Sequence, residues 1–499
     1  MNLSKFLRFY GRLSLVFIFL SCMRHQNDTV VVAVTGESAL WDPHISTADP
    51  YVGFVISSIF DRLLELQDDG SFMPSLAVSW TNTAPTTWEF QLRTNVLFHD
   101  GLPFTAEDVI FSIQRMKASP GVSFLVSFIQ TIDALNEYTV RIELSQLYAD
   151  FLNDLARPHA SIVSKKFTPA RDCKIGDAPM GTGAYRYASA TPWQGINFTA
   201  FPQYYGNSPS ISKNFYRNIP DPAVRTIALE TKEVDVAHTL GADLEVLKKI
   251  RHIQLYSFLA PKTEFIGFNF KTRPKFSDKH LREVIAIAVD KLGIIRVGVD
   301  ETAEVAASLL SHRISYYTNL PPKPFDLQKA KELIQSAGMR GQTFVLSVNE
   351  GFRTKIAEVI QANLKEIGLN IEIQVLQWGA LQEHLAKGSL EMYLFGCTTA
   401  TLDADAMLYP LLHSFNFSSG GNAVGYANSD LDVILEKARS ETDSEKGKLL
   451  YAKIQMFLDS ELPVVPLFYP IVYTAVSKRL TNFSMDVSLT PVFRNMRFK

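Results

Sequence analysis

The sequence predicts an α/β protein divided into more than one domain. Three observations carry that expectation. At 499 residues the chain exceeds what a single hydrophobic core ordinarily serves, and chains of this length split. Between Phe325 and Phe395, helix-period and strand-period segments alternate with glycine closing the helices, which is the order of βαβ units. Leu76 to Arg115 then packs a strand, turns and a capped helix into forty residues.

Taken in order, Val30 to Val34 is a buried-strand run, and Phe54 to Leu64 has helical spacing before the Asp69-Gly70 turn. Trp88 to Arg93 alternates apolar and polar, the period of a half-buried strand. Asp100-Gly101 turns the chain, and Thr105-Ala-Glu-Asp108 reads as a capping box opening a helix through Val109, Ile110, Phe111 and Ile113. Thr139 to Leu144 alternates as a strand, and Tyr148 to Leu155 is a short helix ended near Pro158. Phe276 to Asp290 is an amphipathic helix with Ser277 or Asp278 as its cap and Leu281, Val284, Ile285, Ala288 and Val289 on one face. Helices at Phe325–Ile334 and Lys355–Ile367 close on Gly338 and Gly368; strands follow at Phe344–Val348, Ile371–Val375 and Tyr393–Phe395. Leu431–Ala438 and Lys448–Leu458 read as helices, and Pro463 to Tyr469 as a closing strand.

Composition excludes several function classes. Lys+Arg 49 against Asp+Glu 51 leaves a net charge of -2, so no global field directs the chain to nucleic acid or acidic lipid. The ten histidines form no His-Glu-x-x-His, no paired cysteine motif marks zinc, and Gly-x-Ser-x-Gly is absent. Gly181-Thr-Gly183 has no Lys-Ser/Thr after it, so it is a turn and no nucleotide loop. His44 and His99 sit in turn-like segments, where a structural role beside Asp outweighs metal binding. No enzyme, cofactor or metal is expected.

The N-terminus differs from the rest. Lys5, Arg8 and Arg12 flank the apolar run Leu13 to Leu20, which has signal-peptide length and is too short to span a bilayer stably. Ser21-Cys22 follows at once, like a bacterial lipoprotein processing site, although Phe19 stands where such sites usually carry Leu. Residues 1–21 are then a signal peptide, Cys22 carries lipid, and 22–29 form a tether; an ordinary secretory signal is the alternative. Cys173 and Cys397 could pair in an oxidising compartment, or both could be buried thiols.

The stretch from Leu76 to Arg115 resembles the signature of the family 5 extracellular solute-binding proteins, the oligopeptide- and dipeptide-binding subunits of ABC importers. Further elements in family order extend the resemblance over nearly the whole mature chain: Leu40-Trp-Asp-Pro-His44, Gly181-Thr-Gly-Ala-Tyr-Arg186, Tyr204-Tyr-Gly-Asn, Phe268-Asn-Phe and Pro463-Val-Val-Pro-Leu. The resemblance implies a periplasmic-binding-protein-like two-lobed fold, type II, of the large peptide-binder subclass, with an extra small domain. Lobe I would comprise 30–63, 178–263 and 472–499; the small domain 64–177; lobe II 264–471. It implies a monomeric receptor that needs no cofactor: the partners are an oligopeptide, captured by strand addition between the lobes, the ABC permease subunits in the inner membrane, and the membrane itself through the N-terminal lipid. The implied location is the periplasmic or extracellular face of the cell membrane.

The implied ligand segment is Gly396-Cys397-Thr398-Thr399-Ala400, with Glu37 at the ligand's edge. Here the chain departs from the family pattern. Cys397 stands where Trp is usual, and Ala400 where an Asp pairs with the peptide α-ammonium; Leu385 and Leu394 occupy places where oligopeptide binders tend to carry Arg. An ammonium buried without a counter-charge costs several kcal/mol. Either Asp403 or Asp405 reaches the site, or the ligand lacks a free α-amine there. A murein peptide, a metal chelate or another non-peptide solute stays open, as does an adhesin or signalling lipoprotein that kept the fold.

Overall fold

The computed structural model describes residues 28–34, 41–45, 50–169, 178–239, 244–270, 274–417, 422 and 424–499. Cys22, Glu37 and Cys173 lie outside the described residues. The architecture is the mixed α/β fold that the alternating pattern implies.

A twelve-stranded sheet forms the frame. Its path runs Asn370–Leu376, Thr343–Asn349, Met392–Thr398, Lys262–Phe268, Val464–Ser477, Val236–Thr239, Thr29–Val34, Lys213–Asn218, Gly195–Ala200 and Tyr185–Thr191. Val464–Ser477 holds its two halves together. Its first residues pair with Lys262–Phe268 and Ala303–Val305, and its last with Val236–Thr239 and Ile253–Leu259. The chain thus passes between the halves at two neighbouring places, Ala260-Pro261 and Pro470-Ile471; the Ala260 N–H donates to the Pro470 carbonyl at 2.8 Å.

The βαβ expectation holds in the second half. Thr343–Asn349 pairs in parallel with both Asn370–Leu376 and Met392–Thr398. The helix Phe352–Glu366 crosses between the first two and ends at Gly368, whose φ of +88° is a conformation that glycine adopts without strain. The helix Lys279–Ala288 is capped by Asp278, which accepts from the His280 N–H at 2.9 Å. It buries Leu281, Val284 and Ile285 against Phe344 and Leu346, each such side chain contributing about 1.5–3 kcal/mol.

A separate four-stranded antiparallel sheet joins Ala77–Ala84, Thr87–Leu92, Thr139–Leu144 and Ile129–Asn136. The helix Ala106–Lys117 covers one face, and the other faces solvent. The Thr105 N–H donates to Asp108 Oδ2 at 2.9 Å, as the capping-box pattern requires, and Asp108 Oδ1 also accepts from the Lys165 N–H at 2.8 Å. This antiparallel unit has its own core, from Leu63 to Ile162, joined by Leu402 from the second half of the long sheet.

Three elements differ from the sequence reading. The helix expected to reach Leu64 ends at Ile59. Its terminal carbonyl, Ile59 O, accepts from the Gly183 N–H at 2.8 Å, and a Cβ on Gly181 would stand 2.1 Å from that oxygen. The closing strand continues past Tyr469 to Ser477 although Pro466 and Pro470 interrupt its donors: Pro466 sits at a register shift against Glu264-Phe265, and the Pro470 carbonyl accepts from the Ala260 N–H. The helix Ala404–Leu412 follows the expected ligand segment; its signal was Asp403 ahead of Met407, Leu408, Leu411 and Leu412.

Candidate functional site

The site is built where the strand Met392–Thr398 meets the passage between the two halves. One edge of this strand is paired along its length with Lys262–Phe268, in the register Glu264↔Gly396, Thr263↔Cys397 and Lys262↔Thr398. Its other edge pairs only at Met392 and Tyr393. Among the described residues, no strand pairs with that second edge from Leu394 to Thr398. The segment then bends onto the passage. The Thr399 N–H donates to the Pro261 carbonyl at 3.0 Å, and the Thr398 hydroxyl donates to the same oxygen at 3.1 Å.

Gly396 is required by close approach. A Cβ there would stand 2.5 Å from Glu264 Oε1 and 2.6 Å from Lys262 Cε. The space it leaves holds a buried ionic group. Arg353 donates to both Glu264 oxygens at 2.9 Å and to Asn349 Oδ1 at 2.6 Å, and Lys262 Nζ lies 2.8 Å from Glu264 Oε1. Burial pushes the Glu264 carboxyl up, but the Lys262 and Arg353 charges outweigh it and hold the group below its ordinary range. Two cations facing one carboxylate leave this group of three net positive. Beside it, Phe395 and Trp378 stack with ring planes 3° apart, and Trp378 stays 45% exposed, an apolar surface at the same end.

The other expected residues fall into two groups. Cys397 places Sγ 3.9 Å from the Thr263 carbonyl, and burial with the Glu264 charge raises its thiol to about 12, so it stays protonated and unreactive. Thr399 is buried, with Oγ1 3.2 Å from Thr401 Oγ1, and Ala400 offers no polar group. Leu385 and Leu394 are core residues. Asp403 and Asp405 lie one turn further on. Asp403 caps the Ala404–Leu412 helix, accepting from the Asp405 and Ala406 N–H groups at 3.1 and 3.2 Å. Asp405 Oδ2 accepts from Arg439 Nε and Nη2 at 2.9 and 2.7 Å. Sequence reasoning missed Glu264, Arg353 and Trp378. Of these only Glu264 had a signal, the two charges of Lys262-Thr-Glu264 in an otherwise apolar strand.

Two cavities lie between the antiparallel unit and the second half. One, of about 880 Å³, is lined by residues including Asp68, Trp88, Asp150, Arg313, Tyr316 and Leu402. The other, of about 1040 Å³, is lined by residues including Phe128, Tyr148, Arg157, Asp405, Tyr409 and Arg439. Both are of the size of small-molecule and peptide sites.

A long sheet crossed by the chain at two adjacent passages, with an open strand edge beside them, is an arrangement suited to binding. The middle-region model of the bacterial extracellular solute-binding proteins, family 5, matches residues 71–419. The chain belongs to that family. It is 25% identical to the di/tripeptide-binding protein 2 of Pseudomonas aeruginosa, with 96% of each chain covered. It is 27% identical to the glutathione-binding protein GsiB of Escherichia coli, with 91% of each covered. Its fold superposes on the periplasmic binding protein DppA from Helicobacter pylori in complex with peptide STSA, with a TM-score of 0.82 and 25% identity over 94% of this chain and 98% of that one. No described helix is long and apolar enough to cross a membrane.

Proposed function

We propose that this chain is the receptor of an ABC importer, capturing oligopeptides between two lobes and delivering them to a membrane permease. The observation that carries the reading is the open edge from Leu394 to Thr398. An extended peptide adds to such an edge through its main chain, so affinity does not depend on side-chain identity. The di/tripeptide-binding relative and the peptide-bound structural neighbour support this choice of ligand. The lobes are 30–63 with 178–263 and 472–499, and 264–471, closing about the two passages; 64–177 travels with the first. The receptor acts as a monomer, without catalysis, held at the membrane by lipid on Cys22. Cys22→Ser is expected to release it into the soluble exported fraction, and unchanged membrane retention would contradict the anchor.

Ala400 and the net positive group at Lys262, Glu264 and Arg353 favour a second reading of the same site. A ligand that brings a carboxylate there, and no free α-amine, meets complementary charge. N-blocked or murein-derived peptides fit that description. Native mass spectrometry of the purified protein with its ligand released decides between the two. Mixed peptides of two to five residues are expected under the first reading, and blocked or carboxylate-rich species under the second. A single defined non-peptide mass would overturn peptide capture.

A further inference from the structure

Asp150, Asp403 and Asp405 converge from two parts of the molecule. Asp150 precedes the helix Phe151–Leu155 in the antiparallel unit, and the other two open the helix Ala404–Leu412. One oxygen from each lies within 4.8 Å of the others. All three side chains are buried, at 7, 2 and 1% exposure. Among the described residues the cations paired beside them are Arg439, on Asp405 Oδ2, and Arg157, on the neighbouring Asp154. The His413 ring near Asp405 is bonded to Glu436 at 3.3 Å. Four carboxylates against two guanidiniums leave two negative charges in a low-dielectric place, which is strongly unfavourable without a counter-charge.

A second observation comes from outside the acids. The Tyr451 side chain is 2% exposed, and its hydroxyl makes no hydrogen bond to any described residue. The Asp405, Asp150 and Asp403 charges all act on that hydroxyl, and its ring is held by stacking on Tyr316 at 5.0 Å. Asp405 Oδ1 is likewise buried without a hydrogen bond. Two buried oxygens with no hydrogen-bond partner among the described residues are unfavourable to keep.

We propose that Asp150, Asp403, Asp405 and Tyr451 form a site for one hard divalent cation of the calcium class, tying the antiparallel unit to the second half of the long sheet. The ion supplies the two missing positive charges and a partner for both oxygens. An all-oxygen donor set selects hard cations over softer transition metals. Oxygens across a calcium ion stand about 4.6–5.2 Å apart, given bonds of 2.3–2.6 Å, whereas magnesium demands shorter bonds and keeps several waters; so dry a cluster suits the ion that gives its water up. The donors are already oriented: Asn153 Nδ2 donates to Asp150 Oδ1 at 3.1 Å, and two backbone N–H groups hold Asp403. Asp150 lines the 880 Å³ cavity and Asp405 the 1040 Å³ one, which gives the ion a way in. Because its ligands come from parts that the chain connects only by way of the first half, the ion binds best when those parts are together, and it biases the molecule toward that arrangement.

The test uses the mature chain freed of metal with EDTA. Calcium chloride is titrated by calorimetry, and terbium by tyrosine-sensitised luminescence. One calcium per chain, displacement of terbium by calcium, and a rise in Tm on adding calcium are expected. Asp150→Asn and Asp403→Asn should each weaken calcium at least about tenfold, a factor worth 1.4 kcal/mol, and abolish the Tm rise. Both variants lose like-charge repulsion and are expected to fold. Tyr451→Phe should weaken calcium several-fold and dim the terbium signal. A wild type with the same Tm in EDTA and in millimolar calcium overturns the site, its carboxyls then sharing protons. A calcium response that survives in both Asn variants overturns it too. Neither result touches peptide capture, which is read separately.

Discussion

At the scale of single residues, burial decides what the polar groups do. His44 is 1% exposed and its Nε2 sits 2.8 Å from the Ser161 carbonyl, while its Nδ1 makes no hydrogen bond to any described residue. Burial, then the Arg115 charge, lowers its pKa from 6.5 to about 4. Between those values the unfolded chain binds the proton more readily, so stability rises with pH from about 4 to 6.5 and is flat above. A shift of that size corresponds to about 3 kcal/mol at 1.36 kcal/mol per pKa unit. His44→Gln, which can keep a donor but never ionises, is expected to lower the slope of denaturation free energy against pH across this window. An unaltered slope, measured by urea unfolding at several pH values, would contradict the assignment. The structural role of His44 was legible in the sequence, since no metal-ligand spacing surrounds it. The Glu264–Arg353 pair was not, because its members are 89 residues apart and only the folded sheet brings them to Gly396.

At the scale of elements, periodicity and caps located most helices and strands, and tertiary context set their ends. Gly368 closes its helix where the glycine signal places it, because that signal is local. The end of the helix at Ile59 depends on Gly181 and Gly183, more than a hundred residues later, so no local window contains it. The open edge at Leu394–Thr398 is of the same kind: the sequence marked the strand, and only the pairing shows which side is free. That edge carries a prediction. If a peptide adds there, its amides alternate between pointing at the strand and away from it. N-methylation of an inward amide removes one hydrogen bond, worth about 0.5–1.5 kcal/mol net, and places a methyl against the strand. Affinity by calorimetry should therefore fall about tenfold or more for methylation at alternate residues and stay nearly unchanged at the intervening ones. Equal loss at every position would exclude strand addition as the mode of binding.

At the scale of the whole molecule, the antiparallel unit and the second half of the long sheet are joined by contacts alone. The chain enters the unit near Leu63 and leaves it near Ile162, both on the side of the first half. Arg439 is the hub of those contacts. It binds Asp405, lies 3.4 Å from the Tyr409 ring centroid, and stands 5.4 and 5.5 Å from the Phe128 and Tyr148 rings. Its carbonyl accepts from the Ala149 N–H at 3.0 Å, and Arg313 adds an ion pair to Asp68 at 2.8 Å. Asp68 is 67% exposed on its side chain, so that pair contributes little, whereas the buried Arg439 contact is expected to dominate. In the proposed lobe motion, opening breaks it. Arg439→Met removes the charge and the cation–π contacts and strands Asp405, a loss of about 3–5 kcal/mol for a broken buried pair. In the proposed lobe motion part of that loss falls on the closed arrangement, since Phe128 and Tyr148 belong to the antiparallel unit and Arg439 to the second half. The ligand-free variant is expected to be more open by small-angle scattering and to release ligand at least about tenfold faster, a change of 1.4 kcal/mol in the closed state's favour lost. A variant that melts earlier yet keeps the wild-type scattering curve and release rate would show that Arg439 supports its own half of the sheet and has no part in closure.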